Sequence, residues 1–315
     1  MIQINVLAHS DKRLPYISKS LELLCGIKEI NKSQIKIAIL CSDISDNYKT
    51  SWVEICKKIK NNGIDCVLLV FNSFDTEGLN YMSKIHYSID SECEYSCSMD
   101  DDILISTFLW DFIIDNISVL QNDNTLLMAP LISNGIPSVE MFIEDFCTQS
   151  DSNELGDIFK STHIPDLWGM DYSSLIYEND IEFYKCVNEL NGSFKGIHPM
   201  RISNIAHEKL SSVIHSNYKK MISDNEYKIE YYKFPYFCNS FYFIKTNTWR
   251  EIISDYSLYK DLYDEIPLNL YMKKHNLNMA FIRNGFCLHM AYNTIGSQNQ
   301  ENIENYFINN LIPNI

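Results

Sequence analysis

A mostly parallel α/β sheet flanked by helices is the fold class that this sequence predicts. Two observations carry the prediction. In the first half of the chain, short apolar runs of strand length alternate with apolar stripes at helical spacing. A β-α-β-α-β-α-β order closes most simply as parallel strands joined by helical crossovers, a Rossmann-like arrangement. The second observation is a run of three aspartates, Asp100-Asp101-Asp102, directly after an apolar run, Cys93 to Met99. Ligands of such sheets gather at the carboxyl ends of the strands. The acidic run falls at that edge.

The elements follow in order. Ile2 to Ala8 alternates apolar and polar residues, as a strand does. Leu14, Ile17, Leu21 and Leu24 recur at helical spacing. Ile35 to Cys41 reads as a second strand, followed by the polar turn Ser42 to Asp46. Trp52, Ile55, Cys56 and Ile59 mark a second helix, which Asn62-Gly63 stops. Cys66 to Phe71 is a short buried strand. Leu79, Met82, Ile85 and Ile89 form the next helical stripe, which leads to Cys93–Met99 and the aspartates. Phe108, Leu109, Phe112 and Ile113 predict a further helix. Leu126 to Leu131 predicts a strand that ends at the turn Ser133 to Pro137.

From about Gln149 to Lys233 the pattern loosens into loops and helices, with helical character over 204–222. Tyr236 to Lys245 alternates like a strand. Pro267 stands in the first turn of a helix over Leu268 to His275. Met279 to Arg283 and Phe286 to Tyr292 read as two short extended pieces. No internal repeat or low-complexity linker divides the chain.

Composition narrows the function. The chain has 315 residues, 46% hydrophobic and 21% charged, with a net charge of −15 and a pI near 4.9. That balance provides a core and argues against nucleic acid as a partner, which needs a basic face. The basic clusters Lys57-Lys58-Ile59-Lys60 and Lys219-Lys220 read as solvated helix faces. Ten cysteines lie scattered through apolar stretches without a CxxC pair, which fits buried thiols of a cytosolic protein. Cys93 and Cys97 lack a second ligand pair for zinc, and His207 and His215 lack a close acidic partner. No apolar run approaches the ~18 residues of a membrane-spanning helix. MIQINVLAHS reads as a strand rather than a signal peptide.

Carboxylates at i and i+2 of an extended segment point to one side. Asp100 and Asp102 can therefore share a Mg²⁺ or Mn²⁺ ion that keeps sites for phosphate oxygens. The same residues also fit an acidic turn, or caps on a helix that begins at Ile103.

The chain resembles the GT-A fold glycosyltransferases, in particular the bacterial family-2-like branch, in six places. Ile4 to Arg13 looks like the opening strand and nucleotide loop. Cys41-Ser42-Asp43 looks like the aspartate that meets the uridine. Tyr81 to Asp90 looks like the helix before the metal motif. Ser98 to Ile103 looks like the DXD motif itself. Leu262 to Leu268 looks like the acidic acceptor-side motif. Phe286 to Met290 looks like the late segment whose histidine joins the metal in some members. The turn after Asp43 lacks the glycine often found there, and Asp264-Glu265 reverses the usual Glu-Asp order.

The resemblance implies a GT-A domain over 1–315. Residues 1–135 form its nucleotide-sugar-binding half. Residues 136–315 form an acceptor-side helical and loop region, with an irregular insertion at about 149–233. Asp100, Asp102 and His289 are the implied metal ligands, although a histidine in an apolar strand also fits a core role. His9, Asp43, Lys84 and Asp101 are the implied cofactor-binding residues. Asp43 equally fits an Asx turn, Lys84 a solvated lysine, and Asp101 either turns away or reaches a ribose hydroxyl. Asp264 or Glu265 is the implied catalytic base; both also fit the acidic start of a helix. Trp168 to Asp171 and Trp249 are candidates to shape a sugar site, with core packing the simpler role for Trp249.

The implied activity is transfer of a sugar from a nucleotide-sugar donor, a UDP-sugar, to a glycan hydroxyl. It would be Mn²⁺- or Mg²⁺-dependent, inverting, and directed to bacterial polysaccharide biosynthesis. The implied setting is cytoplasmic, with peripheral membrane contact open through a lipid-linked acceptor. The oligomeric state is left open. Two rivals stand beside it. A nucleotidyltransferase would carry a Gly-rich phosphate loop, whereas His9 to Arg13 has no glycine. A non-catalytic carbohydrate-binding protein of the same fold would bind glycan without turnover.

Overall fold

The computed structural model describes residues 1–8, 13–42, 46–71, 89–132, 135, 137–161, 203–221, 226–233, 237, 240–254 and 265–289. Among them lies a mixed sheet of nine strands. The strands are β1 (Ile2–Ala8), β2 (Ile35–Ser42), β3 (Asp65–Phe71), β4 (Tyr95–Asp100), β5 (Ile103–Leu104), β6 (Thr125–Ile132), β7 (Lys228–Tyr232), β8 (Phe241–Lys245) and β9 (Asn278–His289). Their order is β3-β2-β1-β4-β8-β6-β9-β5, with β7 paired to β9. β1 lies parallel to β2 and β4, β2 to β3, and β6 to β9. β8 is antiparallel to both β4 and β6, so β4 and β6 point the same way as β1. The expected α/β sheet, mostly parallel and flanked by helices, is the one observed.

Period two divides the core into two layers. On one face, Ile4, Val6, Ile37, Ile39, Cys97, Met99, Phe241 and Phe243 meet three helices, Leu14–Cys25, Asp46–Asn61 and Thr107–Asn116. Leu21, Trp52 and Trp110 are among the helical contributions, and Trp110 stands edge-on to Phe241 at 5.3 Å. On the other face, Leu127, Ala129, Tyr242, Ile244, Phe281 and Leu288 meet the helices Ser138–Phe146, Gln149–Ser161, Asn204–Met221, Thr246–Ser254 and Glu265–His275. Each large apolar side chain removed from water there contributes about 1.5–3 kcal/mol. β1 and β6 are buried along their whole length, as strands covered on both faces must be.

Several boundaries differ from the sequence reading. The polar members of β1 do not face water. Gln3 and Asn5 are buried and satisfied: Gln3 Nε2 donates to Asn5 Oδ1 at 2.9 Å, and Asn5 Nδ2 donates to the Cys97 carbonyl at 3.0 Å. The strand expected over Cys93–Met99 begins at Tyr95 and includes Asp100. Within 278–289, the two extended pieces are one strand. Its register against β6 jumps from Pro130↔Ile282 to Leu131↔Phe286, so 283–285 bulge out, with Asn284 at φ 62°. β7 was not expected. The helical stripe at 79–88 lies outside the described residues, as do 236, 238 and 239 of the expected 236–245 strand.

Eight cysteines among the described residues are free thiols, six of them buried. No helix among the described residues is long and apolar enough to cross a membrane.

Candidate metal centre

The acidic run sits where three strands end or begin. β4 closes with Asp100, opposite Leu7 of β1, at the carboxyl edge of the parallel strands. Asp101 and Asp102 form the turn that follows. β5 then pairs antiparallel with the end of β9, with Ile103 opposite His289. This register sets the imidazole beside the turn. Because β8 runs against β4, its beginning also reaches this edge. The Asp100 N–H donates to the Ser240 carbonyl at 3.0 Å.

The helix-cap alternative for the aspartates does not hold. The next helix begins at Thr107, and Ser106 caps it by accepting from the Leu109 N–H at 3.2 Å.

Asp100, Asp102 and His289 each offer a donor atom, and these atoms lie within 4.8 Å of one another. Asp102 is fully buried, His289 nearly so, and Asp100 half-buried. His289 Nε2 stands 3.3 Å from Asp102 Oδ1 and 3.3 Å from Ser240 Oγ. Two carboxylate oxygens and one imidazole nitrogen suit Mn²⁺ or Mg²⁺ with coordination positions left for a ligand. Burying a carboxylate costs several kcal/mol unless opposite charge answers it. A divalent cation at this place supplies such charge, so the donor set fits the ion.

Sequence reasoning had not singled out Arg13. Its Nη1 lies 2.8 Å from Asp101 Oδ1 and 3.3 Å from Asp102 Oδ2. Burial alone would loosen the guanidinium's hold on its proton. The charges of Asp102, Asp101 and Asp100 outweigh burial and raise its pKa further. Asp101 is itself fully buried, with its carboxylate on this arginine. The signal for Arg13 was present: a cation directly before Leu14-Pro15 stands at a helix N-terminus, where the dipole favours an anion.

The other expected residues are placed as follows. Glu265 opens the helix Glu265–His275. His9, Asp43, Lys84 and Asp264 lie outside the described residues, as do 168–171. Trp249 is buried and edge-on to Tyr242 at 6.0 Å, the core position expected as its simpler role.

No protein-family model matches the chain, and no curated protein matches it. Solved structures resemble it distantly. Against S. aureus TarS 1-349 the identity is 12% and the TM-score 0.40, over 98% of this chain and 71% of that one. In the UDP complex of the same protein the match covers 42% of this chain and only 35% of that one, with 14% identity and a TM-score of 0.31. Against the Pyrobaculum calidifontis mannosyltransferase PcManGT, in complex with GDP-Man and Mn²⁺, the identity is 9% and the TM-score 0.42, over 99% and 70% of the two chains. GalNAc-T7 with UDP, GalNAc and Mn²⁺ gives 9% identity and a TM-score of 0.45, over 92% and 43%. At such identities and TM-scores these likenesses assign no activity to this chain.

Proposed function

We propose that the chain is a metal-dependent glycosyltransferase of the GT-A fold, moving a sugar from a nucleotide-sugar donor to a hydroxyl of a glycan acceptor. One observation carries this reading. Asp100, Asp102 and His289 converge at the carboxyl edge of the parallel strands of a mixed sheet, where nucleotides bind such folds. Asp100, Asp102 and His289 would hold Mn²⁺ or Mg²⁺; the ion, when bound, supplies positive charge to the leaving nucleoside diphosphate.

The finer reading is a single domain over 1–315 whose first half, 1–135, takes the donor and whose remainder takes the acceptor. The donor is a UDP-sugar, with His9, Asp43, Lys84 and Asp101 on the nucleotide side. Asp264 or Glu265 removes the proton of the acceptor hydroxyl. The acceptor oxygen bonds to the anomeric carbon as the bond to the diphosphate oxygen breaks, and the diphosphate leaves with the electron pair. Attack opposite the leaving group inverts the anomeric centre. The product belongs to a bacterial surface polysaccharide or related glycan. The enzyme works in the cytoplasm, at the inner membrane face when its acceptor is lipid-linked.

The test is release of nucleoside diphosphate from a panel of nucleotide sugars, with and without Mn²⁺, with calorimetric titration of UDP alongside. Turnover of one donor that needs Mn²⁺ and is lost in Asp102→Ala is the expected result. Glu265→Gln or Asp264→Asn slows turnover and spares donor binding. Silence towards every donor together with no UDP binding overturns the reading.

A further inference from the structure

We propose that Arg13 is the positioning residue of the metal site. It fixes which oxygen of Asp102 faces the ion and keeps Asp101 out of the coordination sphere. The proposal rests on the metal-dependent reading above. Its basis is that opposite oxygens of Asp102 meet different groups: Oδ2 lies 3.3 Å from Arg13 Nη1, and Oδ1 lies 3.3 Å from His289 Nε2. The guanidinium stands on one side of the carboxylate and the imidazole on the other. A carboxylate held in this way presents one defined oxygen towards Asp100 and His289.

Arg13 holds the neighbouring carboxylate more closely, at 2.8 Å from Asp101 Oδ1. Three aspartates in a row offer three similar ligands. Alternation of side chains separates Asp101 from its neighbours only while the segment stays extended. Asp101 and Asp102 lie instead in the turn after β4, so an additional group must distinguish them. A planar guanidinium, always charged and able to donate to two acceptors at once, does this; a lysine ammonium, a point charge, does it less well. The location of Arg13 reinforces the reading. It is the N-cap residue of the helix Leu14–Cys25 and makes no side-chain cap hydrogen bond there. The helix dipole disfavours a cation at that end, so the local helix gives no reason for arginine. The two buried carboxylates do.

The experiment titrates Mn²⁺ alone into the full chain by calorimetry, with the electron paramagnetic resonance of the bound ion and the melting temperature followed in parallel. Wild type, Asp102→Asn, Arg13→Gln, Arg13→Lys and Asp101→Asn are compared. Asp102→Asn abolishes binding. Arg13→Gln weakens it about 10- to 100-fold, as loss of a group that orients a ligand does, and Arg13→Lys falls between the two. Asp101→Asn removes no ligand of the ion, so it loses no more affinity than Arg13→Gln does, about 10- to 100-fold at most. A purely structural arginine would lower the melting temperature of Arg13→Gln and leave the folded protein's affinity unchanged; that result overturns the proposal. So does an Asp101→Asn loss as deep as that of Asp102→Asn. If Arg13→Gln does not fold, Arg13→Lys and Asp101→Asn decide between the same outcomes. Failure of the metal reading looks different: wild type itself takes up no Mn²⁺, or Asp102→Asn takes it up equally well, and the proposal falls with it.

Discussion

Arg13 and Asp101 are 88 positions apart in sequence and 2.8 Å apart in space. The aspartates were legible because chemistry at a strand end follows from residue type and local spacing. Their arginine was not, because long-range pairing leaves no periodic trace. Asp101 shows the same limit: sequence spacing turns it away from its neighbours without saying what receives it. Gly285 is a further single-residue case. A Cβ there would stand 2.7 Å from Cε1 and 2.8 Å from Cδ1 of Tyr227, whose ring is itself packed at a tilt against Phe112, with centroids 5.1 Å apart. Gly285→Ala therefore overpacks the bulge of β9, at a cost of about 1–3 kcal/mol measured by urea unfolding. An alanine variant as stable as wild type would mean that the Tyr227 ring yields freely.

Elements were legible where pattern and environment agree. β2 and β6 are apolar runs buried in the sheet, and their expected bounds agree with the structure to about a residue. The bounds of β3 agree as well, but it is not the buried strand expected: it lies at the sheet edge, where only Cys66 is buried and Val70 is exposed. Asn284-Gly285 separates two extended pieces in the sequence; the structure uses the same residues for a bulge within one strand. Asp145 holds the bulge by accepting from Arg283 Nε at 3.0 Å and from the Asn284 N–H at 2.9 Å. β7, KIEYY, was missed because its charged residues sit exposed along an edge. The reversed direction of β8 has no local signal at all, yet it brings Ser240 to the candidate metal centre. The helix Glu265–His275 is fastened to the segment before β8 by the buried Asn269. Its Oδ1 accepts from the Phe237 N–H at 2.7 Å, and its Nδ2 donates to the Phe237 carbonyl at 2.8 Å. Asn269→Ala strands two buried backbone groups and costs about 1–3 kcal/mol for each. Under the proposed activity it also lowers kcat more than it changes Mn²⁺ affinity, because the helix begins at Glu265. Equal loss in both measurements would argue against that separation.

A pH-dependent tie joins the helices Gln149–Ser161 and Asn204–Met221 of the loosely patterned region. Lys209 lies 2.7 Å from Asp151, and the Thr148 hydroxyl donates to the same carboxylate at 2.7 Å. The lysine first, then Thr148, lowers the Asp151 pKa to about 2. A depressed carboxylate pKa favours the folded state above the unfolded value of about 3.9. That contribution disappears as pH falls through about 2. Wild type should therefore exceed Asp151→Asn modestly in urea midpoint at pH 6, and the two should converge in strong acid. A constant gap down to pH 2 would show that the tie does not act through ionisation.

At the scale of the molecule, one sheet separates two apolar layers, and the candidate metal centre lies at its carboxyl edge rather than within either layer. An ion that binds only the folded chain stabilises it by mass action, about 2.7 kcal/mol at a hundredfold excess over Kd. Mn²⁺ should raise the melting temperature of wild type by a few degrees and leave that of Asp102→Asn unmoved, as read by scanning calorimetry. An identical rise in both would place the binding elsewhere. The pairing of Ile103 with His289 has a further consequence in time. During synthesis the aspartates emerge long before the histidine. The three donors can meet only after the last described strand has returned to the first half of the chain. Ion capture by the whole set is thus closed to a growing polypeptide until His289 has emerged and its strand has paired with Ile103.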